Sequence, residues 1–307
     1  MTILLSWIGI DVSKHHLDVF DAGRTLGIAN DTEGVARLVD GLAGRQVRVV
    51  FEATGTYDGA LRRGLTAAGI PFVRVNPRRA RAFADAAGFL AKTDRVDARM
   101  LAAMGQAMPA PPTAVEHPQR RRLADLHKRR DQLVAMRKQE RTRLAEAAGE
   151  LRAGLQDHIA WLSRAIVEIE RTCRALIGSC PDLRRVHDLI RSVPGCGPVA
   201  ATTLIALMPE LGERSPKTIA ALGGLAPFNL DSGQRRGKRR IRHGRRRIRE
   251  ALYMSAVTAA RFSPRFQASY QALLAAGKPP KLALIALARK LLVVLNAVLR
   301  TRTPFHT

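Results

Sequence analysis

Four carboxylates and one hydroxyl in this chain stand where they could do chemistry: Asp11, Glu52, Asp94, Asp97 and Ser232. Asp11 closes the apolar run Trp7-Ile8-Gly9-Ile10, and Glu52 closes Val47-Arg48-Val49-Val50-Phe51, so each acid falls where a strand would stop. Asp94 and Asp97 are three apart in Lys92-Thr93-Asp94-Arg95-Val96-Asp97, on one face of a helix start. Carboxylates brought together repel, one pair at about 4 Å by about 4 kcal/mol at an effective dielectric of about 20. Cations relieve that repulsion. Hard divalent ions such as Mg²⁺ or Mn²⁺ suit oxygen ligands, and a metal pair can clamp a phosphodiester from both sides. Each acid also has a plainer use: Asp94 and Asp97 as charges favoured at a helix N-terminus, Asp11 as a turn cap, Glu52 as the partner of an arginine. Asp18, Asp21, Asp58 and Asp85 are set aside, because none ends an apolar strand or pairs at helical spacing.

Ser232 lies in Asp231-Ser232-Gly233, a string that elsewhere marks an ordinary turn, but here a dense positive field follows it. Ten of the sixteen residues from Gln234 to Arg249 are basic: Arg235, Arg236, Lys238, Arg239, Arg240, Arg242, Arg245, Arg246, Arg247 and Arg249. As one helix the run would span about 24 Å, and like charges at that density call for a polyanion. The whole chain agrees: 51 Lys plus Arg against 26 Asp plus Glu leave a formal charge of +25, the signature of nucleic-acid binding through counterion release. Aromatics at 5% favour backbone contacts over stacking of single-stranded bases.

Several elements must hold these groups. Trp7 to Phe20 reads as two strands around a turn at Ser13 to His16. Val47–Phe51 and Pro71–Val75 are further strands flanking a helix over Tyr57–Ala68, and another helix begins near Thr93. That order predicts a mixed α/β sheet domain over residues 1–112. Apolar residues from Leu123 to Leu176 follow 3-4 spacing with a stutter or hairpin turn near Gly149 to Gly154, which predicts coiled-coil oligomerisation helices over 113–185; an ordinary amphipathic helix pair fits the same pattern. A mainly helical third region spans 186–307, where Pro194-Gly195-Cys196-Gly197-Pro198 suits a helix-hairpin-helix turn with Gly195 and Gly197 offering backbone N–H groups to a phosphate. Cys173, Cys180 and Cys196 are odd in number and lack CxxC spacing, consistent with a reducing cytoplasm. The apolar run Leu282–Leu299 carries Arg289 and Lys290 at its centre, each costing about 2.5–3.5 kcal/mol in a bilayer, so a core helix and no membrane contact are expected. No secretory leader is evident at the N-terminus.

Gly9-Ile10-Asp11-Val12-Ser13-Lys14, Phe51-Glu52-Ala53-Thr54-Gly55 and Lys92-Thr93-Asp94-Arg95-Val96-Asp97-Ala98 resemble the DEDD motifs of insertion-sequence transposases with a RuvC-like, RNase H-fold catalytic domain. Val193-Pro194-Gly195-Cys196-Gly197-Pro198, Gly224-Leu225-Ala226-Pro227 and Ser232-Gly233 resemble that family's C-terminal transposase domain. The resemblance covers nearly the whole chain in order. It implies a DNA recombinase guided by a structured bridge RNA, acting on target and donor DNA in the prokaryotic cytoplasm. It further implies that Asp11, Glu52, Asp94 and Asp97 bind Mg²⁺ and that Ser232 forms a covalent 5′-phosphoserine. The family's assembly, a dimer of dimers, would join one protomer's carboxylate domain to another's serine domain. Arg242-His243-Gly244-Arg245 departs from the family's common lysine before the glycine. Two other readings fit parts of the sequence: a metal-dependent nuclease or junction resolvase that uses water, and a non-catalytic basic packaging protein.

Overall fold

The computed structural model describes residues 5–89, 93–114, 117–229, 237 and 239–306. They fall into two compact units, 1–115 and 116–307. The first contains β1 (Ser6–Val12), β2 (His16–Asp21), β3 (Arg24–Ala29), α1 (Thr32–Leu42), β4 (Val47–Glu52), α2 (Gly59–Ala67), β5 (Phe72–Val75), α3 (Pro77–Ala86) and α4 (Asp94–Ala107). The sheet order is β3-β2-β1-β4-β5, antiparallel across β3, β2 and β1 and parallel across β1, β4 and β5.

Alternation along the strands sorts side chains into two layers. Ile8, Ile10, Val12, Leu17, Val19, Val49 and Phe51 pack with Val35, Leu38 and Leu42 of α1 and Leu61 and Leu65 of α2. On the other face Val50 and Val73 meet Ala80 and Ala84 of α3 and Met100, Leu101 and Met104 of α4. The expected hairpin closes at Ser13, whose N–H donates to His16 O at 2.9 Å. The strand β3 and the helices α1 and α3 were not expected. β3 lies at the sheet edge, with Leu26 exposed and Gly27 in its middle, so it carries little apolar pattern. α1 starts at the cap Asp31, whose Oδ1 accepts from Gly34 N at 2.7 Å.

The second unit is almost wholly helical: α5 (Pro118–Glu146), α6 (Gly149–Ser179), α7 (Pro181–Arg191), α8 (Pro198–Leu207), α9 (Pro216–Leu222), β6 (Pro227–Phe228), β7 (Arg240–Ile241), α10 (Arg246–Phe262), α11 (Pro264–Ala275) and α12 (Pro280–Thr301). α5 and α6 form an antiparallel hairpin, shown by Arg130 with Glu170, Arg137 with Ser163 and Glu140 with His158. The turn falls at Ala147 and Ala148, both extended, just before the expected position. Leu133, Leu162 and Ile166 make a small core of their own there, whereas Leu123, Cys173 and Leu176 join the main helical core; Leu151, placed on the expected seam, is exposed. α12 runs through that main core with Leu287, Leu291, Leu292 and Leu295 fully buried, which accounts for its apolar length. Its Asn296 is buried, accepting from Gly212 N at 2.9 Å and donating to Arg214 O at 3.0 Å. The arginine run is not one helix. Arg240 and Ile241 are extended, the chain turns at His243 (φ 58°) and Gly244 (φ 68°), and the helix begins only at Arg246.

Candidate active site

Strand pairing brings two of the acids together. β1 and β4 are parallel with Gly9 opposite Val50 and Ile10 opposite Phe51, so the next residues, Asp11 and Glu52, end neighbouring strands side by side. Ile10 and Phe51 belong to the layer under α1 and α2, and alternation therefore turns Asp11 and Glu52 to the face that α4 covers. α4 is drawn onto that face by missing side chains. A Cβ on Gly9 would lie 1.9 Å from Ala98 O and 2.6 Å from Ala102 N, and one on Gly105 would lie 2.5 Å from Trp7 Cε3. Ala98, Ala102 and Gly105 form one small-residue stripe at helical spacing, and its N-terminal continuation is Asp94. The same stripe that lets α4 touch β1 thus carries the first turn of α4, with Asp94 and Asp97, to the end of β1 where Asp11 stands. Thr93 caps this turn, its hydroxyl accepting from Val96 N at 3.4 Å.

The electrostatics record the result. Burial pushes the Asp11 carboxyl up to about 6, with the charges of Asp97, Asp94 and Asp18 adding to the rise against a hydrogen bond from Val12 N–H. A carboxylate lifted first by burial and then by neighbouring carboxylates is a place where a cation binds favourably. All the donors are carboxylate oxygens, a set suited to a hard divalent ion. Among the described residues no three acidic, histidine or cysteine side chains stand at ligating separation.

Asp18, set aside on the sequence, stands beside Asp11 in the fold. It pairs directly with Asp11 across the β1–β2 hairpin, and with Leu17 and Val19 in the opposite layer it shares the face of Asp11. Counting outward from the Ser13–His16 turn was the available signal. The other acids set aside have plain roles: Asp58 is fully buried between Arg62 and Arg74, Asp21 holds Arg45 with two bonds of 2.8 Å, and Asp85 meets Arg81 at 3.3 Å. Asn30 braces the strand ends, its Nδ2 donating to Ser13 O at 2.7 Å and to Tyr57 O at 3.0 Å.

In the second unit Ser232, Arg235, Arg236 and Lys238 lie outside the described residues. On either side of them β6 and β7 pair antiparallel, Phe228 opposite Arg240. Arg239, Arg240 and Arg242 are exposed. The remaining arginines of the run are engaged: Arg245 grips Glu210 with two bonds of 2.6 Å, Arg246 meets Glu250 at 2.7 Å, Arg247 grips Asp131 at 2.5 and 2.8 Å, and Arg249 donates to His243 O at 3.1 Å. His243 packs edge-on against Phe228 at 5.8 Å. Gly195 has φ 86°, and its missing Cβ would lie 2.3 Å from Ser255 O, so this glycine is required by packing on α10; Gly197, the N-cap of α8, faces open space. Burial raises the Cys196 thiol to about 11 and also raises Cys173, leaving both as protonated core residues.

A carboxylate-bearing mixed sheet followed by a helical second unit defines a class, and comparison with known proteins assigns it. Residues 8–150 match the DEDD transposase domain of IS110-type elements, described as "Transposase", and residues 187–271 match "Transposase IS116/IS110/IS902 family". The "Pilin gene-inverting protein" of Moraxella bovis is 29% identical over 317 aligned residues, covering 98% of this chain and 97% of that protein. Its counterpart in Moraxella lacunata is 28% identical over the same shares. "Insertion element IS116 uncharacterized 44.8 kDa protein" of Streptomyces clavuligerus is 36% identical over 120 residues, 38% of this chain and 30% of that one. The chain belongs to the IS110/IS116/IS902 family of transposases and is a DNA recombinase.

Proposed function

We propose that this recombinase cuts and rejoins DNA through a covalent phosphoserine at Ser232, using Asp11, Glu52, Asp94 and Asp97 as the ligands of Mg²⁺. The observation that carries the carboxylate half is the placement of Asp11 and Glu52 on adjacent strand ends beneath the first turn of α4, where burial, and then Asp97 and Asp94, raise the Asp11 carboxyl. The bound cation would neutralise charge on the scissile phosphate. Ser232 Oγ attacks phosphorus, its proton passes to a basic group or water, and the P–O3′ bond breaks to leave a 3′-hydroxyl and a 5′-phosphoserine. Reversal by another strand's 3′-hydroxyl restores the diester and frees the serine. Asp11, Glu52, Asp94 and Asp97 would hold that cation, while exposed Arg239, Arg240 and Arg242, together with Arg235, Arg236 and Lys238, would offer positive charge to the nucleic-acid backbone. The relatives named for gene inversion support a reaction that conserves phosphodiesters, because an inverted segment must be rejoined at both ends.

We further propose that a structured guide RNA binds beside the DNA, both drawn by the +25 charge, in an assembly of four protomers in which the α5–α6 arms join chains. The experiment incubates protein, RNA and end-labelled DNA with Mg²⁺, denatures the mixture and follows label that migrates with protein. Ser232→Ala loses the adduct and still binds DNA; Glu52→Gln loses it too. Label in free hydrolysed ends would instead assign the reaction to water, and activity of Glu52→Gln in EDTA would remove the metal from the mechanism.

A further inference from the structure

The arginine run after Ser232 divides into residues that face solvent and residues already bound to the protein. Arg245 spends both terminal nitrogens on Glu210, 2.6 Å from each carboxylate oxygen, while its backbone N–H donates to Leu222 O at 2.8 Å. Arg247 spends Nε and Nη2 on the two oxygens of Asp131. Asp131 in turn sits on α5 beside Arg130 at 3.3 Å and the buried His127 at 3.5 Å, and His127 is hydrogen-bonded to Thr203 of α8 at 3.2 Å. Close backbone packing adds to these ties, since a Cβ on Gly244 would lie 2.2 Å from Gly224 N. The strand and turn that return from the serine segment are therefore fastened at three places: the end of α9, Glu210, and α5. A bidentate pair occupies the fork that an arginine would otherwise present to a phosphate. Both carboxyls remain charged. Burial lifts Asp131 and Glu210, but the hydrogen bonds and charges of Arg247 with His127, and of Arg245, outweigh it and hold both below the usual range.

We propose that Glu210 and Asp131 are positioning residues for recombination, and that Arg245 and Arg247 act as their clamps and not as nucleic-acid contacts. The pairs fix where the chain re-enters the helical core, and so fix the base of the segment that carries Ser232. Asp131 also ties that base to the α5–α6 hairpin. The exposed arginines 239, 240 and 242, which have no ion pair among the described residues, are left to meet phosphate.

The proposal rests on Ser232 as nucleophile, but its two parts are read separately. Binding of a fixed DNA duplex is measured across salt concentrations for Arg240→Ala, Arg242→Ala, Arg245→Ala and Arg247→Ala. Each lost phosphate contact lowers the slope of log K on log salt by about 0.9. The slope falls for residues 240 and 242 and stays at the wild-type value for 245 and 247. A fall at 245 and 247 overturns the division. The rate of protein–DNA adduct formation is then followed in Glu210→Gln and Asp131→Asn, which keep shape and lose charge. It drops about 10- to 100-fold, as expected for a displacement on the order of 1 Å, with affinity and thermal midpoint near wild type. The exchanged pair Glu210→Arg with Arg245→Glu recovers part of that rate. Wild-type adduct rates in both single variants overturn the positioning role. Adduct persisting in Ser232→Ala refutes the nucleophile alone and leaves the salt slopes to judge the clamps.

Discussion

Gly9→Ala isolates the contact that assembles the carboxylates. The added methyl would stand 1.9 Å from Ala98 O and 2.6 Å from Ala102 N, both backbone atoms with no rotamer to escape into. Contacts of this kind essentially never fall under 3.0 Å, so α4 must retreat from β1 by at least 3.0 − 1.9 = 1.1 Å. Overpacking of this sort costs about 1–3 kcal/mol of stability. The larger effect falls on catalysis, because the first turn of α4 moves with the helix and takes Asp94 and Asp97 away from Asp11. A misplacement on the order of 1 Å lowers a rate about 100-fold. Gly27→Ala in β3 is the matched control, since a Cβ there meets nothing within 4 Å. Thermal unfolding and Mg²⁺-dependent adduct formation are measured for both. The control keeps the wild-type rate, and Gly9→Ala loses most of it while still folded at the assay temperature. Wild-type cleavage by Gly9→Ala would show that close approach of α4 is not what brings the acids together.

In EDTA the raised Asp11 carboxyl gives a signed pH dependence. The folded group keeps its proton up to about 6, whereas the unfolded one releases it near its ordinary value of 3.8, so stability falls as pH rises through that window. Asp11→Asn is therefore more stable than wild type above pH 6, by on the order of 1–2 kcal/mol after solvent screening, and the gap closes below pH 4; a gap independent of pH in chemical denaturation contradicts the burial and charge crowding that raise Asp11. Leu162→Ala, at a side chain fully buried against Leu133 and Ile166, lowers unfolding free energy by about 2–5 kcal/mol, and an unchanged melting midpoint would mean the α5–α6 hairpin is not packed on itself. Protein stripped with RNase and returned to the same DNA sites recombines them poorly; equal recombination without RNA removes the guide.

Much of the first unit was legible because strands and acids announce themselves locally. Asp11 and Glu52 follow apolar runs, and Asp94 and Asp97 follow a capping threonine, patterns that need only neighbours in sequence. β3 escaped notice because an edge strand buries little, whereas α1 had a readable signal, the cap Asp31 followed by Val35, Leu38 and Leu42 at helical spacing. The α5–α6 periodicity was visible from Leu123 to Leu176, yet the same spacing serves a partner chain or the chain's own hairpin. The structure uses Leu133, Leu162 and Ile166 within the hairpin.

Sequence alone determined the residue types available for chemistry, their order and the excess of positive charge, since these are properties of composition and spacing. Tertiary structure decided which of them meet. Asp18 faces Asp11 only because the hairpin register puts it there, and Gly9 matters only because Ala98 and Ala102 arrive from ninety residues away. Likewise, ten basic residues within sixteen look equivalent until Glu210 and Asp131, distant in sequence, engage two of them. The physical reason is that an ion pair or a backbone contact is decided at a few ångströms of separation, and for residues far apart in the chain only the fold sets that distance.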